Sequence, residues 1–394
     1  MIYLDHAATT PIRREALDAY VEASEKYYGN ASSLHDIGMQ ANDVLEKCRT
    51  LWGTLIDADP SGIYFTSGGT EANQLTILSY IKAHKERGKH LITTEVEHSS
   101  LYNLFQQLAE DGYDVTFLSL QKDGTVSLEE VRKVIRPDTI LASIHYGNSE
   151  VGILQPIAAL GKLFAAHDIF FHVDCVQAFG HVPLSVKKLK IDALSIASHK
   201  IYGPKGIGLC YMNPTFFWQS VIQNTTHEKG FRPGTVDVPS IVAFTLAGQL
   251  IENERNEQEK KYVTLRKHFL ETLAKTVESV EVIEHPHAQL PHIIGLIFSH
   301  VQGQYVMLEC NKRGIALSTG SACQVGKQDP SRTLLSIGKS LDEAKQLVRI
   351  SLGKATTEKD LVKCVRAFQE IMLEVNYPPR SSQLQSKKLP HKPE

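Results

Sequence analysis

A lysine that ends an apolar run can reach into a cleft, lose its charge by desolvation and bond covalently to an aldehyde cofactor. Lys200 stands at such a place, in SIASHKIYGPKGIG, immediately before a glycine-rich turn. The plain alternative is a solvated loop lysine. Asp174 closes the run FFHVD upstream; a carboxylate there can keep a pyridine nitrogen protonated and make the ring an electron sink, or simply cap the next helix. Gly68, Gly69 and Thr70 lie in TSGGTEAN between an apolar run and an apolar helical stretch. Exposed N–H groups and the helix dipole favour a phosphate at such a junction, although an ordinary capped turn reads the same way. His98 ends HLITTEVEH and can stack on a flat ring or move protons near neutral pH, or serve the surface, since the chain holds 17 histidines. Cys323 lies among small and polar residues in LSTGSACQVGKQDPSR, where a thiolate nucleophile can be presented. The other five cysteines, Cys48, Cys175, Cys210, Cys310 and Cys364, lie mainly in apolar or helical contexts and read as packing residues.

The elements that must hold these residues follow from periodicity. Between about residues 60 and 212, the runs IYFT, HLITTE, DVTFLSL, TILASIH, IFFHVD, DALSIAS and GIGLCYM alternate with longer amphipathic stretches. That alternation predicts an α/β sheet covered on both faces, with the polar segments at the strand ends where ligands gather. ENERNEQEKKYVTLRKHFLETLAK reads as one long surface helix leading to a second unit, in which VEVIE, HIIGLIF, GIALST and VRISL suggest a smaller α+β domain. From Tyr377 onward the chain is rich in Pro, Ser and Lys, and a disordered tail is expected.

Composition excludes several classes of function. A formal net charge of -2 supplies no basic field for nucleic acid or anionic lipid. The scattered cysteines form no C-x-x-C pair and no spacing with histidine that would ligate a metal, so neither a disulfide scaffold nor a metal site is expected. MIYLDHAATTP lacks a basic segment followed by an apolar run, and no uncharged stretch is long enough to span a bilayer. The expected location is the cytoplasm, where thiols stay reduced.

Taken in order, YLDHAATTP, GNASSLH, FTSGGTEAN, EVEH, GNSEVG, HVDCVQAFG, SHKIYGPKGIG, FRPGTVDVP, STGSAC and RISLGKATT closely resemble the cysteine desulfurases of the nitrogenase and iron-sulfur-cluster assembly type. These are class-V aminotransferases within fold-type I pyridoxal-phosphate enzymes. The likeness covers nearly the whole chain apart from the tail. It implies a large domain, residues 14–255, with a mainly parallel seven-stranded sheet, and a smaller α+β domain from residues 1–13 and 256–376 that carries a mobile cysteine loop.

Position by position, the resemblance makes Lys200 the lysine that bonds pyridoxal phosphate, Asp174 the partner of the pyridine nitrogen, Gln177 the partner of the phenolic oxygen and His98 the ring-stacking, proton-moving histidine. Gly69, Thr70, Ser198 and His199 become phosphate contacts, with Thr235 supplied by the second subunit of a homodimer. Asn148 and Arg349 become the binders of the substrate carboxylate, and Cys323 the persulfide-forming nucleophile. The implied reaction converts L-cysteine to alanine and passes the sulfur to an acceptor protein, such as an iron-sulfur scaffold or a thiolation enzyme. A selenocysteine lyase or other β-lyase is the alternative, and a non-catalytic scaffold a more distant one. Two departures from the family pattern stand out: the serine before His199 is displaced by one position, giving Ala197-Ser198-His199-Lys200, and Cys175 follows Asp174 where alanine is common.

Overall fold

The computed structural model describes residues 1–320 and 329–376; Cys323 and the stretch from 377 onward lie outside the described residues. After the short strand β1 (Ile2–Tyr3), all seven of the apolar runs fold as strands: β2 (Ile63–Thr66), β3 (His90–Thr94), β4 (Asp114–Leu118), β5 (Thr139–His145), β6 (Phe170–Asp174), β7 (Ala193–Ala197) and β8 (Gly208–Met212). They form one sheet in the order β2-β8-β7-β6-β5-β3-β4. Only β8 runs against its neighbours.

Every residue of β5, β6 and β7 is buried, as strands with helices on both faces require. Alternate side chains divide between two apolar clusters. Phe171 and Val173 pack with Trp52 and Phe244 on one face, while Phe170 packs with Tyr80 and Phe105 on the other. Fixing that alternation fixes the register, because a one-residue slip would send each set to the wrong face.

A second sheet is built from the strands β9 (Val280–Ile283), β10 (Ile293–Phe298) and β12 (Leu347–Ser351), antiparallel in the order β12-β10-β9; β11 (Ile315–Ala316) pairs with β1. Its core gathers Leu4, Leu296, Phe298, Ile350 and Phe368. The predicted long helix is Val238–Thr276, 39 residues. It is more buried than its charged sequence suggests. Ile241, Phe244 and Ile251 sit in the first core, whereas Tyr262, Phe269 and Leu273 sit in the second. The charged residues cover its remaining surface, and the helix bridges the two sheets.

One buried ion pair holds the segment that leads to Thr235. Arg49, 2% exposed, reaches Glu228, 5% exposed, through both terminal nitrogens at 3.0 and 3.1 Å. Arg49 also donates to the carbonyl of Ile63, and Glu228 accepts from the N–H of Phe65, so the pair is stitched to β2. Removing Arg49 leaves the Glu228 charge buried without its counter-ion, which costs roughly 3–5 kcal/mol, whereas Arg49 keeps Glu46 at 3.0 Å when Glu228 is removed. The Arg49→Met variant should lower unfolding stability by about that amount in urea titration at fixed protein concentration; a loss under about 1 kcal/mol would show that water reaches the pair.

Candidate active site

The C-terminal ends of β2, β3, β5, β6 and β7 deliver the chemistry-bearing residues to one edge of the large sheet. Asp174 is the last residue of β6 and is buried. One carboxylate oxygen accepts from the N–H of Val176 at 2.9 Å, and the other accepts from the Asn73 amide at 2.9 Å. Lys200 closes the single turn Ser198–Lys200 that follows β7. Its Nζ donates to the carbonyls of Ala7 at 2.6 Å and Ala8 at 2.7 Å. Gln177 donates to the same Ala7 carbonyl at 2.9 Å. Lys200, Gln177 and the strap of residues 7 and 8 therefore meet at one point.

The phosphate-type site forms where β2 passes into the helix Gly69–Ala83. Gly68, its N-cap, holds φ at 149°, a conformation closed to residues with a Cβ. Gly208 must also be glycine: a Cβ there would lie 2.8 Å from the Gly68 backbone. A cavity opens over this corner, lined by Gly68, Gly69, Thr70, His199 and Lys205. The His199 pKa is lowered to about 4, first by burial and then by the charges of Lys200, Lys205 and His98. Its ring is thus neutral near pH 7, with Nδ1 at 3.2 Å from the Thr9 hydroxyl.

Ser198 is placed differently. Its hydroxyl is fully buried without a hydrogen-bond partner and faces Gly203, where a Cβ would come within 2.1 Å of it. The one-position displacement in the sequence turns this side chain into the fold, while His199 and not Ser198 lines the cavity. Cys175 is fully buried beside Asp174. Thr235 is exposed, and Arg232 just before it pairs with Glu71 at 2.7 Å.

His98 caps the helix Ser99–Glu110, its Nδ1 accepting from the Ser100 N–H at 3.2 Å. Arg349 is buried in β12, at the edge of the other sheet. One guanidinium nitrogen donates to the Ser149 carbonyl at 2.9 Å and the other to Asp5 at 2.8 Å, while the buried Nε has no hydrogen-bond partner among the described residues. That spare donor suits a carboxylate oxygen. Asn148 stands next to it, its side-chain oxygen accepting from the N–H groups of Glu150 and Val151 and its amide donating to Thr333.

Residues 2–363 match the family model for aminotransferase class-V. The chain belongs to the class-V aminotransferase family. It is 46% identical over 377 residues to a putative cysteine desulfurase NifS of Bacillus subtilis, covering 93% of this chain and 94% of that one. A cysteine desulfurase IscS of Methanosarcina thermophila is 35% identical over 371 residues, covering 94% and 92%. Among solved structures, a NifS-like protein superposes with a TM-score of 0.88 at 29% identity, over 94% of this chain and 99% of that one.

Class-V aminotransferases of this kind use pyridoxal phosphate, and the donor set fits that group. A carboxylate for the pyridine nitrogen, a helix N-terminus for the phosphate and a lysine amine for the aldehyde converge on one edge. Among the described residues no group of three or more His, Cys, Asp or Glu could hold a metal ion, and no helix is long and apolar enough to cross a membrane.

Motif reading passed over several residues of this site. Asn73 and Ser100 lie under Asp174 and His98; Asp5 and the carbonyls of Ala7 and Ala8 touch Arg349 and Lys200. Asp5, Ala7, Ala8 and Asn73 fall inside motifs quoted above, where each could have been flagged as a polar or backbone group at a strand end. A second omission is the fully buried pair of His145 and Glu97 at 2.9 Å, which nothing in the sequence pairs. The Glu97 carboxylate also accepts from the Thr94 hydroxyl and the His145 N–H, while its carbonyl accepts from Arg332.

Burial works to lower the His145 pKa from 6.5, but the charge and hydrogen bond of Glu97 override it and the net direction is upward. A raised folded value means the pair stabilises fully below the unfolded value of 6.5 and loses that contribution as pH rises through the folded value. The stability gap between wild type and His145→Ala, measured as urea midpoints from about pH 6 to about pH 9, should therefore shrink with rising pH. A gap that is constant or widens would show that the imidazole is neutral in the fold.

Proposed function

We propose that this chain is a homodimeric, cytoplasmic cysteine desulfurase that moves the sulfur of L-cysteine onto Cys323 and releases alanine for the benefit of a sulfur-acceptor protein. The observation that carries the proposal is the meeting of Lys200 and Gln177 at the Ala7 carbonyl and of Arg349 at Asp5 of the same N-terminal strap, with the spare Nε of Arg349 available to a substrate carboxylate. Pyridoxal phosphate, when bound, supplies an electron sink for the carbanion at the substrate Cα. Asp174 would hold its ring nitrogen, Gln177 its phenolic oxygen, and Gly69, Thr70 and His199 its phosphate, with Thr235 arriving from a second copy. Ser198 is left out of the phosphate set because its hydroxyl is buried against Gly203.

Lys200 Nζ takes the proton from Cα and, with His98, returns protons as the three-carbon product forms. The Cys323 thiolate attacks the substrate sulfur. The sulfur–Cβ bond breaks with its electrons left on carbon, Cβ gains a proton to become the methyl group of alanine, and the enzyme thiol becomes a persulfide. Among the described cysteines all five are buried, and burial raises the thiol pKa of each. Their chemistry points away from the nucleophile role and toward the sixth. The division into 14–255 and 1–13 plus 256–376 is consistent with two separate cores, bridged by Val238–Thr276.

Cys323→Ser should retain the yellow lysine-bound cofactor and lose alanine and sulfide production by orders of magnitude, because a hydroxyl is a far poorer nucleophile toward sulfur. Mass spectrometry of wild type after cysteine addition should place one extra sulfur on the Cys323 peptide. Extra sulfur on the Cys175 peptide instead, or full turnover by the serine variant, would overturn the assignment and favour a lyase that needs no thiol.

Lys200→Ala should bind the cofactor without a borohydride-reducible bond. A subunit carrying Thr235→Ala mixed with a Lys200→Ala subunit should restore one intact site per dimer. Monomeric sedimentation at micromolar concentration would contradict the shared site.

A further inference from the structure

Asn73 is 1% exposed and lies one turn into the helix Gly69–Ala83, beneath the cleft. Its amide nitrogen donates twice, to Asp174 at 2.9 Å and to the Ser100 hydroxyl at 3.0 Å. Its orientation is fixed by chemistry, since a carboxylate accepts only and would repel an amide oxygen. With its oxygen occupied by the Asn73 donor, Ser100 has its own proton left to give, and His98 Nδ1 lies 2.8 Å away. The Ser100 N–H also points at that nitrogen. Both groups donate to Nδ1, which is therefore the unprotonated nitrogen of the imidazole, and the hydroxyl, at the shorter distance, is the stronger of the two bonds that keep it so. The end of β6, the start of the helix Ser99–Glu110 and the first turns of the helix Gly69–Ala83 are thereby joined through one side chain.

We propose that Asn73 is a positioning residue of the reaction: through Ser100 it holds His98 in the tautomer that carries its proton on Nε2, and through Asp174 it orients the carboxylate that meets the cofactor ring. The role of the ring rests on the function proposed above; the relay from Asn73 to His98 does not. Asn73 touches neither substrate nor cofactor in this arrangement. It acts by ensuring that the acid–base histidine and the ring partner respond to one shared donor. Its own side-chain oxygen is buried without a partner among the described residues, so what the residue contributes here is its two N–H bonds.

The test uses full-length protein labelled with nitrogen-15 in histidine, with the His98 signals assigned by their loss in His98→Gln. Two-bond nitrogen–proton correlations distinguish the tautomers. Wild type should show the Nε2–H form of His98 near neutral pH, with and without bound pyridoxal phosphate. Asn73→Ala and Ser100→Ala should both shift His98 toward a mixture. The double variant should match Ser100→Ala at His98, because both changes interrupt one relay. Only Asn73→Ala should also move the absorbance band of the lysine-bound cofactor, through Asp174.

Turnover of cysteine in Asn73→Ala should fall roughly ten- to a hundredfold in kcat, with KM little changed, as displacement of a positioned group would produce. A wild-type His98 spectrum in Asn73→Ala overturns the relay. Should Asn73→Ala fail to fold, Ser100→Ala decides alone, and an unchanged His98 tautomer there overturns it equally. Failure of the desulfurase reading would instead appear as absent alanine release with the histidine spectra as expected.

Discussion

A carboxylate buried at the end of the central strand dictates much of the rest of this molecule. Asp174 has left bulk water, and an unpaired buried charge is too costly to persist. Its two donors, the Val176 N–H and the Asn73 amide, come from the turn after β6 and from the helix Gly69–Ala83. Satisfying the carboxylate therefore fixes that helix against the sheet in one register. The same helix is capped by Gly68, so docking its fifth residue, Asn73, on Asp174 also places the phosphate-type corner at a set distance from that carboxylate.

The second constraint is the N-terminal strap. After β1 pairs with β11 in a two-stranded sheet, Asp5 engages Arg349 of the three-stranded sheet, and the next residues cross to the largest one. There the carbonyls of Ala7 and Ala8 hold Lys200, and the Thr10 N–H and hydroxyl both donate to the His199 carbonyl. Four residues of chain, 5–8, thus carry contacts to the candidate carboxylate binder at one end and to the amine at the other. The distance between those two functions is set by a short piece of backbone and not by the docking of two large surfaces.

The sheet was legible because buried β-branched runs with polar ends admit few other folds: each of the seven strands appears where IYFT through GIGLCYM predicted it. The placement of Lys200, Asp174 and His98 was legible for a related reason, since each follows or closes such a run. Asn73 and Ser100 were not, since an amide and a hydroxyl in a helix read as caps or surface until the third dimension sets Asp174 beside them. The His145–Glu97 pair was hidden because His145 ends β5 while Glu97 lies in the loop after β3, far away in sequence. Ser198 shows the opposite limit. A motif shifted by a single position keeps its composition, yet within a tight turn one residue is enough to turn a hydroxyl from a cavity into the core.

Chemistry that stores sulfur on a thiol also demands that other thiols be kept out of reach. Cys175 sits one residue from the ring partner, the most hazardous place for a second nucleophile. Burial, followed by the adjacent Asp174 charge, drives its pKa well above the ordinary value and keeps it protonated. Cys210 and Cys310 are pushed up to about 12 by burial in their own cores. The carboxylate that would keep a pyridine nitrogen charged therefore adds to what burial already does to the neighbouring sulfur. A neutral residue in place of Asp174 would remove the effect on the ring and still leave burial to hold Cys175 protonated and out of reach.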